Sequence, residues 1–451
     1  MKKTLLFVHA VDTEGPLVET LTDTFERLRL FWGVDLIPTL KTLEQLQQKN
    51  IDLGGKEAAI ADFISPKRLD MLMNFESIDK MLDKLFDRNF RYRLMDDFGQ
   101  PYRFSWFCID HVGYETNPRQ RLFGYHAILR HYVERIQGAS EYFGDSVQWH
   151  FHSVPFNRAA HCFGLNWSFT NFHIEVFARR LIDFRIMPSA YRPGGWIERP
   201  DMNVWLEQWV PFDYGNNSLS VPVQQPDYKC GRLSDWSRAS LSWCGYHPSL
   251  KDYQVAGELK RVIFRCLSLD ARTGSISQSD IEQAFEEAMQ GKRPILSVTN
   301  HDNRDMVPEI EHFWSILQKV AQKYPHVQIK HCDEVSAARE SLNLQPLPEL
   351  KLQIRWKENT LFVESNHELW GPQPFLAIKT LDGRYLHDNM AFHGAQLWSY
   401  TFDWMTIPKN ALDIVAVGSH DAYGNTTVVR QNMLTRKTDV HVGNTLNLQY
   451  R

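Results

Sequence analysis

The sequence predicts an α/β protein: a parallel sheet or barrel over its first three quarters, then a small antiparallel β domain. Three observations carry this. Short apolar runs alternate with helix-period segments up to about residue 340. A stretch with two closely spaced prolines, "NLQPLPEL" at 343–350, then interrupts the pattern. Beyond it the helix period stops, and short β-rich runs are divided by turns such as "LDGRY" and "AYGN". Residues 1–342 are therefore expected to form the α/β unit and 350–451 a β-sandwich.

Each element has its own signal. "TLLFVHA" (4–10), "RFSWFCI" (103–109), "VQWHFH" (147–152), "RVIFRCLSL" (261–269), "PILSVTN" (294–300) and "VQIKHC" (327–332) are short and apolar, as strands buried on both faces are. Helical spacing covers 22–33, 37–50, 118–144 with a break near Gly138, and 170–186, where Ile174, Phe177, Leu181 and Phe184 recur three or four apart. "SDIEQAFEEAMQG" has Ser279 and Glu282 at capping-box spacing and Gly291 where a helix stops. "MVPEIEHFWSILQKVAQKYP" follows Asp305 as N-cap, with acids early and lysines late.

Composition narrows the function. The chain has 451 residues, 43% hydrophobic and 23% charged, the profile of an ordinary globular protein. A net charge of −4 without a basic run argues against nucleic acid as a partner. No stretch approaches the roughly 18 apolar residues of a membrane span. "MKKTLLFVHA" has two lysines and a short apolar run, but no small-residue cleavage site precedes Asp12, so a retained strand and a cytoplasmic chain are expected. Cys108, Cys162, Cys230, Cys244, Cys266 and Cys332 form no CxxC pair and are expected to be free thiols. Aromatic residues reach 13%, with 14 tryptophans, a residue type that packs cores and stacks on sugar rings. Trp356, Trp370, Trp398 and Trp404 of the β region are expected in its core and rim.

Four polar clusters fall at predicted C-terminal strand ends, where parallel α/β folds carry their ligands. Asp12 and Glu14, in "VDTEGP", are two apart and share a face of an extended chain. His150 and His152 alternate at a strand end, with His161 nine residues on, a pattern suited to a divalent metal. "YRPGGW" places Arg192 beside two glycines, with Trp196 as a pocket wall, and "FDYGNNS" offers Asp213, Tyr214, Asn216 and Asn217. His301 and Asp302 end "ILSVTNH" and its following residue, and a histidine beside a carboxylate suits a general acid. Taken singly, each cluster also fits an ordinary turn, cap or packed histidine. An α/β barrel would bring all four together.

In this order the motifs resemble the polysaccharide deacetylase superfamily, the NodB-homology fold, and most of all its atypical members among O-antigen and capsule assembly proteins. "VDTEG", "HFHSVPFNRAAH", "YRPGGW" and "LSVTNH" stand where that family has an acidic pair, a histidine pair, an arginine turn and a late Leu-x-His strand. The chain departs from the pattern in Asp12-Thr-Glu14, in Phe156 where the second histidine of the pair would fall, and in Arg192-Pro-Gly-Gly. His150 or His161 then has to substitute.

The resemblance implies a distorted (β/α) barrel. It implies a divalent metal, most often zinc, held by Asp12 or Glu14 with two of His150, His152 and His161. It implies Asp12 as base or as a metal ligand shared with Glu14, Arg192 orienting the catalytic acid and His301 protonating the leaving group, with Trp196, Tyr214, Asn216 and Asp302 around the substrate. The implied activity is hydrolysis of an N- or O-acyl group on a sugar or glycan precursor of the cell surface. The C-terminal domain would bind carbohydrate, pair subunits or cap the barrel. Two alternatives stay open: an inactive glycan-binding or assembly protein on the same barrel, and a metallohydrolase of another bond type.

Overall fold

The structure is a computed structural model, and it describes residues 3–110, 113–117, 119–121, 127–221 and 234–443. Part of the expected helix at 118–144, Cys230 and the last predicted β run beyond 443 lie outside the described residues.

Among the described residues of the first 342, eight parallel strands organise the fold. They are β1 Lys3–Thr13, β2 Ser105–Ile109, β3 Ser146–Phe151, β4 Ala190–Pro193, β5 Phe212–Asn216, β6 Val262–Ser268, β7 Ile295–His301 and β8 Val327–His331. β1 to β7 close into a barrel, because β1 pairs with β7 on one edge and with β2 on the other. The long β1 makes this closure. Its upper half, Ala10–Thr13, pairs with β2, and its lower half, Lys3–Phe7, pairs with β8 on the same edge.

Period-2 alternation sorts the side chains of β1. Leu6, Val8 and Ala10 face the barrel interior with Phe107, Tyr214, Phe264 and Cys266. Leu5, Phe7 and Val11 face outward under the helices Phe75–Phe86, Ala127–Phe143, Gln278–Met289 and Met306–Ala321. Asp12 continues the inward row and so stands at the top of the interior. The helix Glu334–Ser341 closes the bottom with Val335, Ala337 and Ala338. Its Glu334 side chain accepts from Gln148 Nε2, at 2.5 Å, and from Ser146.

β4 and β5 are strands where the sequence suggested turns. Both are short and rich in Gly, Pro, Asn and Asp, yet each is hydrogen-bonded on both edges inside the barrel. Three further expectations change. The helix Ala127–Phe143 runs through Gly138 without a break. The helix expected over 170–186 is Phe172–Arg179 followed by a single π-helical turn, Arg180–Phe184, ending at Arg185 with φ +58°. The capping box of Gln278–Met289 is formed by Ser277 and Asp280 rather than by Ser279 and Glu282. Ser277 is the last residue with extended backbone, and a cap needs that conformation. Gly291 does take positive φ beyond that helix, and Asp305 does cap the next.

Beyond the prolines, nine antiparallel strands among the described residues form two sheets. One has β9 Leu352–Lys357, β10 Thr360–Ser365, β13 Ala391–Gly394 and β14 Leu397–Thr401; the other has β11 Phe375–Thr380, β12 Tyr385–Asp388, β15 Leu412–His420, β16 Thr426–Asn432 and β17 Thr438–Val442. Leu376, Ile378, Val415, Val417 and Val429 meet the first sheet's Leu361, Val363 and Trp398 in a shared core. The alternate residues Phe375, Ala377, Ile414, Ala416 and Val428 pack on Val176, Phe177, Leu181 and Ile182 of the barrel's outer layer. Trp398 and Trp370 are buried, whereas Trp404 is exposed. Cys108, Cys162, Cys244, Cys266 and Cys332 are free thiols. Among the described residues, no helix is long and apolar enough to cross a membrane.

Candidate metal centre

The upper end of the barrel holds a cavity of about 240 Å³ lined by Asp12, Glu14, His150, His152, His301 and Trp196, among others. Strand geometry places these side chains. In β3, Trp149 and Phe151 turn outward into an aromatic cluster, so Gln148 and His150 turn inward. His152, just past the strand, keeps the inward side, and its ring meets that of His150 edge-on with centroids 4.9 Å apart. Asp12 and His301 are register partners on adjacent strands.

Glu14, His150 and His152 are buried, and each offers a ligand atom within 4.8 Å of the others', a group able to hold a metal ion. The His152 Nε2 lies 3.0 Å from His150 Nε2 and 3.1 Å from Glu14 Oε1, and His150 Nε2 lies 3.8 Å from the same oxygen. A carbonyl oxygen can only accept, so the 3.0 Å contact of His150 Nδ1 with Arg192 O makes Nδ1 the protonated nitrogen. The lone pair of Nε2 then points at the group, the usual outer-shell control of a ligand histidine. Burial lowers the pKa of both imidazoles, and neutral imidazole is the form that binds metals. Glu14 keeps Oε1 for this cluster while Oε2 pairs with Arg121.

Asp12 stands beside the group, 3.7 Å from His150 Nδ1 and 3.9 Å from His301 Nε2. Arg192 grips it from within, donating Nε to Oδ1 at 2.7 Å and Nη2 to Oδ2 at 2.9 Å. The third guanidinium donor, Nη1, is spent on the Tyr214 carbonyl at 2.6 Å. Burial alone would raise the Asp12 pKa, but the charges of Arg192, His150 and His301 outweigh it and hold the carboxyl well below the usual range. Burial pushes His301 down to about 3, with Asp12 opposing and Arg304 adding to the effect.

Four expected residues stand elsewhere. His161 is not part of the ligand group; its ring meets Phe31 of the helix Leu21–Trp32. The eight residues between it and His152 carry it off the strand end. Tyr214 lies inside the barrel under the cavity, its hydroxyl donating to the Glu334 carbonyl at 2.6 Å. Asn216 is buried and ties down a loop by donating to Ser240 O at 2.8 Å. Asp302 is fully buried on the outward side of its strand end, because adjacent residues face opposite ways. There it accepts from the backbone N–H groups of Glu14, at 2.5 Å, and Gly15, at 2.9 Å, and from Tyr132. It positions Glu14 and does not line the cavity.

The sequence reading did not single out Arg68, Arg121 and Arg304, which also line the cavity. Arg68 belongs to the segment between β1 and β2, Arg121 to the segment between β2 and β3, and Arg304 to the loop after β7. Nothing in their local sequence marks them.

No family model and no curated protein matches the chain. A closed parallel barrel with a possible metal site at its upper end fits the expected family in outline.

Proposed function

We propose that the protein is a zinc-dependent hydrolase that removes an acyl group from a sugar or glycan precursor. The observation that carries this reading is the convergence of Glu14, His150 and His152 beside the Asp12–Arg192 pair at the open end of the barrel. Tetrahedral ligand atoms about 2.0–2.1 Å from zinc stand roughly 3.3 Å apart. The separations of 3.0, 3.1 and 3.8 Å among the three ligand atoms bracket that value. Two histidines and a glutamate are also a common catalytic zinc set, which leaves a position open.

A zinc ion bound there supplies Lewis-acid polarisation of an acyl carbonyl and acidification of water. The chain does the rest. His301 Nε2, half-buried and facing Asp12, accepts a proton from the attacking water and returns it to the departing nitrogen or oxygen. Asp12, fixed as a carboxylate by Arg192, stabilises the imidazolium formed in between. This moves the base role from Asp12 to His301: burial leaves the His301 imidazole a weak base, but Arg192 holds the Asp12 carboxyl lower still. Trp196 and Phe163 wall the cavity with apolar area on which a sugar ring can lie.

The test is metal content by plasma mass spectrometry after dialysis against trace zinc, with hydrolysis of acetylated sugars in parallel. Wild type should hold near one equivalent, His152→Ala should lose both metal and turnover, and His161→Ala should keep both. Turnover that survives in metal-free His152→Ala would refute the reading. Tight glycan binding without metal or hydrolysis would favour the inactive binding protein.

A further inference from the structure

Charges on the cavity floor are matched: Asp12 with Arg192, Glu14 with Arg121. Those on the rim are not. Lys67, Arg68 and Arg304 converge on the single carboxylate of Asp270, at 2.6, 3.4 and 3.8 Å. Glu309 adds one more acid, 3.4 Å from Arg304. Among the described residues, three cations share these two carboxylates, and the one in excess, Lys67, is 65% exposed and lies outside the cavity lining. Both contacts of Arg68 with Asp270, at 3.4 and 3.5 Å, are long for hydrogen bonds. The Arg68 and Arg304 side chains are only 17% and 13% exposed, so water does not fully replace the missing partners. Deeper in the same cavity, Arg121 Nε is buried and has no hydrogen-bond partner among the described residues.

Guanidinium forks match the geometry of carboxylate and phosphate oxygens, and their bonds to anions are the strong kind. Three arginines in one half-enclosed lining, two with only long contacts or an unpartnered buried nitrogen, serve little purpose for a neutral sugar and concentrate an anionic one. We propose that the substrate carries an anionic group, a carboxylate or a phosphate, which Arg68 and Arg304 bind beside the metal-site residues. The word substrate rests on the hydrolase reading, whereas the anion site itself rests on the arginines.

Calorimetric titration tests it, using methyl glucuronide, glucose 6-phosphate and methyl glucoside as probes. Each is added to zinc-loaded and metal-free protein, as wild type, Arg68→Gln, Arg304→Gln and His152→Ala, with circular dichroism confirming the fold. At least one charged sugar should bind wild type about tenfold or more tighter than methyl glucoside, with or without zinc. Each arginine substitution should weaken that binding about tenfold while zinc stoichiometry stays the same. Preference between the two charged probes tells carboxylate from phosphate.

Equal or absent binding of charged and neutral sugars would overturn the proposal. So would a charged-sugar affinity that survives both arginine substitutions but vanishes with zinc, since the anion would then sit on the metal. Failure of wild type to bind zinc would refute the hydrolase reading alone, and the metal-free titrations would still decide the anion site.

Discussion

Arg192→Met should destabilise the metal-free protein by about 4 kcal/mol, and Asp12→Asn should cost clearly less in that background than it does in wild type. Arg192 is fully buried and Asp12 nearly so, and three hydrogen bonds of 2.6–2.9 Å leave the guanidinium. Removing one partner of a buried ion pair costs about 3–5 kcal/mol, because the other charge stays behind uncompensated. The orphaned Tyr214 carbonyl is part of that loss, at about 1 kcal/mol. Asp12→Asn alone should cost about as much, by leaving the guanidinium without its counter-charge. In the double variant no buried charge is left unpaired, so the combined loss should fall short of the sum by about 2 kcal/mol or more.

The assay is guanidinium chloride unfolding followed by tryptophan fluorescence, with chelator present. Acidity gives a second readout. Asp12 has a lowered pKa in the folded state, so its stabilisation is present at neutral pH and is lost only as pH falls through that low value. Without Arg192, burial raises the same carboxyl, and the variant can take up a proton on mild acidification. The gap between wild type and Arg192→Met should therefore narrow from about pH 7 to about pH 5. Strict additivity, or a gap that ignores pH, would show that Arg192 does not serve to hold the Asp12 charge.

Other outcomes follow from single contacts. A Cβ at Gly194 would lie 2.1 Å from His152 Cδ2 and 2.9 Å from its Cα, so Gly194→Ala must displace the ring. Zinc affinity, read by competition with a chromogenic chelator, should drop about 10–100-fold, and unchanged affinity would count against His152 as a ligand. Burial, reinforced by Asp333, raises Glu334 from 4.5 to about 7. A raised acid stabilises fully below about 4.5 and loses that contribution as pH rises through about 7. The advantage of wild type over Glu334→Gln should thus shrink from pH 5 to pH 8 in parallel denaturation curves; a constant difference would contradict it. Ser277→Ala should cost about 1 kcal/mol as the loss of a helix cap, while Ser279→Ala should change stability by less than about 0.5 kcal/mol.

Much of the site was legible because strand ends are local features. An apolar run that stops at Asp12, at His152 or at His301 marks the end of a buried strand, and in a parallel fold those ends share one side. The alternation of Trp149, His150, Phe151 and His152 even gives the facing of the two imidazoles. The illegible parts have identifiable causes. Asp302 follows His301 directly, and polarity alone does not tell which of the two faces the cavity. Tyr214 and Asn216 lie in a strand whose composition is that of a turn. Ser277 and Ser279 both offer a hydroxyl near the helix start, and only the backbone conformation chooses between them.

The sequence by itself determined the periods: two in the strands, about 3.6 in the helices, and the change of regime at the prolines near 345. Those patterns arise between near neighbours in the chain, so a short window contains them. Only the tertiary structure decided that β1 closes the barrel by dividing one edge between β2 and β8. Only it brought Glu14 to histidines 136 and 138 residues away, Arg192 to Asp12 across the interior, and three scattered arginines to one cavity. Such contacts depend on how all the strands register at once, and no local stretch of sequence carries that information.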